Sequence, residues 1–208
     1  MGGLDNRECS CQNAGLPNLE QYLMRASAYA LAAALCALPA LATAQGMANM
    51  PTDPASPVAN SLRGMEMRYE QNIVAALDAF PAEKYSYKPT EAQMTVGAIA
   101  AHLVNEGNYM LCGRVSGQAE PQHAKVDANS SKDALMAALR ASFEFCKSSF
   151  ASVTDAQMAD SVPGFGPRKV VRANMVLITV GDWADHYSQL ANYLRLNNML
   201  PPTARRGM

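Results

Sequence analysis

The sequence predicts an all-α fold, a four-helix bundle with long connecting loops, and three observations carry that prediction. Four stretches of roughly 20 residues place apolar side chains at three- and four-residue steps, the period of an amphipathic helix. Only 7% of the 208 residues are aromatic while 13 are Met, a balance that favours packed helices over a β sandwich. The stretches are separated by polar or Pro- and Gly-containing connectors. Apolar residues make up 49% and charged residues 17%, enough for one folded core and too little charge for intrinsic disorder. With 17 Lys and Arg against 18 Asp and Glu, the net charge of -1 excludes a polyanion binder that works through bulk positive charge.

Residues 1–23 read as an extension upstream of Met24, and residues 24–44 as a secretory signal peptide. Arg25 supplies the cationic start. The charge-free stretch 28–41 is too short for a bilayer that needs about 20 apolar residues. Pro39 and the small residues Ala42, Thr43 and Ala44 place cleavage after Ala44, while Leu35 before Cys36 argues against lipid attachment. A long cationic region starting at Met1 is the alternative. The expected location is periplasmic or secreted, with no membrane association after cleavage. Removing residues 1–44 leaves 15 basic and 15 acidic residues, so no nucleic-acid partner is expected. Of five cysteines only Cys112 and Cys146 survive cleavage. In an oxidising compartment they form either a disulfide or two separate buried thiols, and a Cα approach within about 7 Å decides between them.

Residues 45–57, with three prolines, read as a flexible lead-in to a domain over 58–203. Leu62, Met65, Tyr69, Ile73, Ala76 and Leu77 mark the first helix over 59–79, closed by Phe80 and Pro81. Residues 83–91 read as a loop around Pro89. Thr95 caps a second helix whose stripe is Val96, Ile99, Leu103 and Met110, ending near Gly113. After a polar connector, Ser130 or Ser131 caps a third helix carrying Leu135, Leu139, Phe143, Cys146 and Phe150. The connector 151–168 holds too many breakers for regular structure. The fourth helix spans 170–197 with Leu177, Ile178, Trp183, Leu190, Tyr193 and Leu194 inward, and Pro201 and Pro202 end it. Such long connectors argue against strict up-down hairpins throughout.

The chain has three histidines, His102, His123 and His186, and two fall inside predicted helices. His186 follows Asp182 by four residues, so both side chains leave one face of the fourth helix a turn apart. An imidazole from a facing helix, His102, completes a three-donor set with room for water as a fourth ligand. The same residues have a plainer reading, a packing histidine on helix two and a surface ion pair on helix four. Asp185 lies on another face of the fourth helix, and His123 reads as a solvent-exposed imidazole in a polar loop. Arg168, Lys169 and Arg172 after the turn Gly164, Phe165, Gly166 and Pro167 offer an anion a place at the start of helix four, but a solvated cluster explains them as well. No GxGxxG, P-loop, HExxH, CxxC or GxSxG is present, which removes the minimum parts of nucleotide binding, zincin, thioredoxin and α/β-hydrolase chemistry.

Three segments, MTVGAIAAHLVNEGNYMLCGRVSGQ, SKDALMAALRASFEFCKSSF and DWADHYSQLANYLRLNNMLPP, together resemble the DinB-like family of four-helix-bundle metalloproteins, over about 61–202. Members carry a histidine on the second helix, matched by His102, and a histidine pair spaced by four on the last long helix, where this chain has Asp182 and His186. A carboxylate in place of one imidazole still binds Zn²⁺ and shifts the preference toward harder ions. The resemblance implies a divalent ion, Zn²⁺ or Ni²⁺, held by His102, Asp182 and His186. It also implies a metal-dependent hydrolase or thiol-dependent transferase acting on a small molecule. Glu106 and Tyr109, on the helix of His102, become candidates for acid–base or ligand-orienting roles, against plain readings as a solvated charge and a packing ring. Cys112 and Cys146 stand in NYMLC and FEFC contexts seen in a secreted branch of the family, which implies a structural bridge between helices two and three. The rival reading is a noncatalytic periplasmic bundle without metal, a binding or stress-associated protein that forms a homodimer through an apolar face.

Overall fold

The computed structural model describes residues 55–205. The expected upstream extension, the signal peptide and most of the lead-in lie outside the described residues.

Helix α1 (Pro57–Ala79) opens with proline, whose fixed φ suits the first helical position. The Asp155 carboxylate caps it from a distant loop, accepting from Val58 N at 3.0 Å and Ala59 N at 2.8 Å. Phe80 and Pro81 end the helix, and a 3₁₀ turn over Ala82–Lys84 starts the first connector.

The second helix is continuous but not uniform. It comprises α2 (Val96–His102), a π-helical segment (Leu103–Met110) and α3 (Leu111–Ser116). Thr95 Oγ1 caps it by accepting from Ala98 N at 3.0 Å. It runs three residues beyond the expected Gly113 and stops at Gly117, whose φ of +78° is the left-handed conformation that ends helices at glycine. The wider π turns also rotate the inward face, so Tyr109 is buried and Met110, expected in the stripe, is half-buried.

The connector from Gly117 to Ser131 returns along this helix. Asn105 Nδ2 donates to Val126 O at 3.0 Å, and a Cβ on Gly97 would lie 2.5 Å from Ala128 O. Ser131 Oγ accepts from Ala134 N at 3.2 Å and caps α4 (Lys132–Phe150).

The connector after α4 is more regular than its composition predicts. Thr154 and Gln157 form a capping box on a 3₁₀ turn, Asp155–Gln157. Strand β1 (Ser161–Pro163) then pairs antiparallel with β2 (Lys169–Val171), Val162 opposite Val170. The breakers sit in the turn, with Gly166 at φ +64°, and the β-branched pair Val170 and Val171 stays extended. Helix α5 therefore spans Arg172–Leu196 and starts later than position 170. A short helix, α6 (Pro202–Arg205), follows the proline stop. Leu177, expected inward, is 73% exposed, while Met175, Val176 and Thr179 are buried instead.

Side chains that reach helix ends fix the topology. Lys132 Nζ donates to Asp78 O (2.7 Å) and Phe80 O (2.8 Å) at one end, and Arg63 Nη1 donates to Phe150 O (3.0 Å) and Val153 O (3.1 Å) at the other, so α1 and α4 are antiparallel. Arg172 donates to Val115 O, and Tyr193 Oη to Met94 O at 3.1 Å, so α5 runs opposite to the second helix. The order is up-down-down-up, with the 117–131 connector spanning the bundle.

Trp183 of α5 centres the core, its ring 5.9 Å from Phe143 and 6.3 Å from Tyr69 and Phe150. Its indole N–H donates to Asn108 Oδ1 at 2.7 Å, Asn108 Nδ2 donates to Ser142 Oγ at 2.8 Å, and Ser142 donates to Leu139 O at 2.8 Å. A chain satisfied at each step costs little to bury and fixes the rotation of the π segment between α4 and α5. Cys112 and Cys146 are bridged, with Cα atoms 5.1 Å apart, which joins α3 to α4.

Candidate metal centre

His102 is the last residue of α2, at the entry to the π segment, and points toward α5. There Asp182 and His186 leave the same face one turn apart. His102 Nε2 lies 3.1 Å from Asp182 Oδ1, and His186 Nε2 lies 3.5 Å from the same oxygen. The two imidazole rings are 4.6 Å apart, and one donor atom from each of the three residues lies within 4.8 Å of the others. The His102 side chain is 30% exposed and that of His186 9%, so the cluster is open on the His102 side and closed toward the core.

The electrostatics favour an anion between two imidazoles. Burial alone would push the Asp182 carboxyl up, but hydrogen bonds from His102 and His186 and their charges outweigh it and hold the group at about 2. The hydrogen bond to Asp182 raises the His102 imidazole, against the opposing effect of burial.

Hydrogen bonding within the triad satisfies only part of it. Asp182 Oδ2 and His186 Nδ1 are buried and have no partner, a cost of about 1–3 kcal/mol each when left unmade. Two imidazoles and one carboxylate with uncommitted buried donor atoms fit a divalent ion that accepts mixed nitrogen and oxygen ligands. Gly107 makes room for the carboxylate, since a Cβ there would stand 2.7 Å from Asp182 Oδ2.

The other candidates take different places. Glu106 is exposed, one turn along from His102, with Oε2 3.5 Å from His102 Nδ1. Tyr109 is buried against His123 and Phe145, at ring distances of 3.8 Å and 5.5 Å, not against the triad imidazoles. His123 is not the solvated imidazole expected in a polar loop. Its side chain is 5% exposed because the ring stacks on Tyr109, and Nε2 lies 2.7 Å from Glu120 Oε1. Asp185 is exposed and accepts from Gln189 at 2.9 Å. Arg172, expected to help form a solvated cluster, is buried and holds Gln157 O at 3.1 Å and Asp160 Oδ2 at 3.4 Å. Gly107 and Asn108 were not readable as site residues, because a glycine and an amide within a helical pattern give no chemical signal.

No curated protein matches the chain. Solved structures share its fold. A DinB-like protein from Bacillus subtilis superposes with a TM-score of 0.55 at 19% identity, covering 68% of this chain and 95% of its own. A DinB-like protein from Bacillus cereus ATCC 10987 gives a TM-score of 0.55 at 16% identity, covering 67% and 94%. The DinB superfamily also matches the sequence directly over residues 68–190, a span that contains His102, Asp182 and His186, and the chain belongs to that superfamily.

Proposed function

We propose that this chain is an exported metal-dependent enzyme, of the hydrolase or thiol-dependent transferase type, acting on a small molecule at His102, Asp182 and His186. One observation carries the reading: three convergent donors from two facing helices, with Asp182 Oδ2 and His186 Nδ1 buried and unpartnered.

A divalent ion, Zn²⁺ or Ni²⁺, supplies Lewis-acid activation of a water or thiol at such a donor set. Asp182 stays anionic across the neutral range and brings the charge that draws a cation. Glu106 sits where it keeps a proton on His102 Nδ1 and so leaves Nε2 free to donate its lone pair. The half-exposed His102 side gives a small substrate its approach, while Trp183 and the core close the opposite side against water.

Export rests on the charge-free stretch 28–41 and finds support in the bridge between Cys112 and Cys146, a bond that persists in oxidising compartments. Among the described residues no helix is long and apolar enough to cross a membrane.

Elemental analysis of the untagged protein tests the reading. About one equivalent of divalent metal is expected in the wild type and a loss of most of it in His186→Ala. Equal metal content in both proteins removes the site.

A further inference from the structure

The lower end of the second helix carries an unpaired charge that the metal centre does not use. Arg114, in the last turn of α3, has its guanidinium 5.0 Å from the ring of Phe165 in the hairpin turn. Its Nη1 is shielded from water and has no hydrogen-bond acceptor, and no carboxylate pairs with Arg114 among the described residues. Arg114 as a whole is half-buried, but a shielded guanidinium N–H without an acceptor is costly, and an anion beside it would satisfy that donor.

The same arginine lines a cleft of about 310 Å³ between the second helix, the start of the long connector and the hairpin. That volume lies at the small end of the range for ligand pockets, roughly 300–1,000 Å³. Glu120 is the one acid on the lining, and it is already committed: its Oε1 lies 2.7 Å from His123 Nε2 and 3.3 Å from Lys125 Nζ. The uncompensated charge in the cleft is therefore the single positive charge of Arg114. Tyr109, Met110 and Pro163 give the remaining wall its apolar character.

We propose that this cleft binds a small organic monocarboxylate, its carboxylate on the Arg114 guanidinium and its apolar body against Met110, Tyr109 and Pro163. One cation matches one negative charge, and the planar guanidinium fork suits a carboxylate in two parallel hydrogen bonds. Phe165 does not line the cleft but stands against the guanidinium, its ring centroid 5.0 Å from Arg114 Cζ, and so steadies the group that binds.

Calorimetric titration of the full chain with benzoate, inorganic phosphate and benzyl alcohol tests this. Benzoate should bind saturably, with phosphate and benzyl alcohol weaker by about tenfold or more. Arg114→Met should weaken benzoate about tenfold or more, and the exposed-site variant Phe165→Ala about threefold, both measured on protein with wild-type far-ultraviolet dichroism. Should Arg114→Met not fold, Phe165→Ala decides alone. No saturable benzoate binding up to about 10 mM, or binding unchanged in the folded variants, overturns the site. Phosphate binding as tight as benzoate overturns the assignment to a monocarboxylate.

Discussion

Gly107 and Asp182 are fitted to each other across the gap between the second helix and α5: a methyl group on position 107 would stand 2.7 Å from Asp182 Oδ2, inside ordinary contact distance. Gly107→Ala must therefore turn the carboxylate or push α5 away. The variant should keep its helical dichroism and bind Zn²⁺ about ten- to a hundredfold more weakly, the usual effect of disturbing the surroundings of a metal ligand. A competition titration with a zinc chelator reads it, and unchanged affinity would show that Asp182 is not a ligand.

Metal uptake should depend on pH through His102. The hydrogen bond to Asp182 raises its imidazole above the ordinary range, so a proton competes with the ion further into neutral pH than usual. Affinity should rise as pH increases from about 6 to about 8, by up to about tenfold per pH unit for the one proton displaced. Asp182, held at about 2, titrates far below this window and adds nothing to the slope. Zinc titrations across that interval with a flat profile would contradict the assignment of His102.

Glu66, on the inner face of α1, is 2% exposed and its Oε1 has no partner. Burial, with repulsion from Glu70 and Glu144 and only partial relief from Lys147, raises its carboxyl to about 8. An unfolded glutamate loses its proton near 4.3, so between that pH and about 8 the native state binds more protons than the unfolded state. Stability contributed by protonated Glu66 is thus complete at low pH and is lost progressively as pH rises through that window. Glu66→Gln should match the wild type near pH 4 and exceed it near pH 8.5 by a few kcal/mol. Urea denaturation at the two pH values measures this, and an equal offset at both would refute it.

The bridge between Cys112 and Cys146 closes a loop with a sequence separation of 34 residues. The entropy model assigns such a loop about 3–4 kcal/mol. Reduction should lower the melting temperature by about 10 °C without loss of helix content. Calorimetry with and without reductant checks it, and a shift below about 2 °C would mean that packing alone holds α3 to α4.

Much of the site was legible because it obeys local rules. Asp182 and His186 share a face by their spacing, and Thr95 and Ser131 act as caps because their hydroxyls reach a backbone N–H three residues on. His102 followed as the other histidine inside a predicted helix, and the resemblance to the family reinforced it as the partner from the facing helix. What stayed hidden depends on contacts distant in sequence. The π segment sets Asn108 between Trp183 and Ser142, and no polar-apolar pattern encodes that extra width. His123 looked solvated because its stacking partner, Tyr109, lies 14 positions away on another element. Glu66 gave no signal of its burial, because a charge within a helical repeat carries no mark of an inward position. The hairpin was masked by its own turn, where glycines and prolines outweigh the short pairing of Val162 with Val170.

The disulfide and the triad fasten the second helix on its two opposite sides, to α4 through Cys112 and to α5 through His102. Oxidation of the two thiols supplies the first clasp, and a cation would close the second. The bundle would then be locked in two chemically independent steps, so that a metal-starved but oxidised protein keeps one seam sewn while the seam with α5 can still breathe.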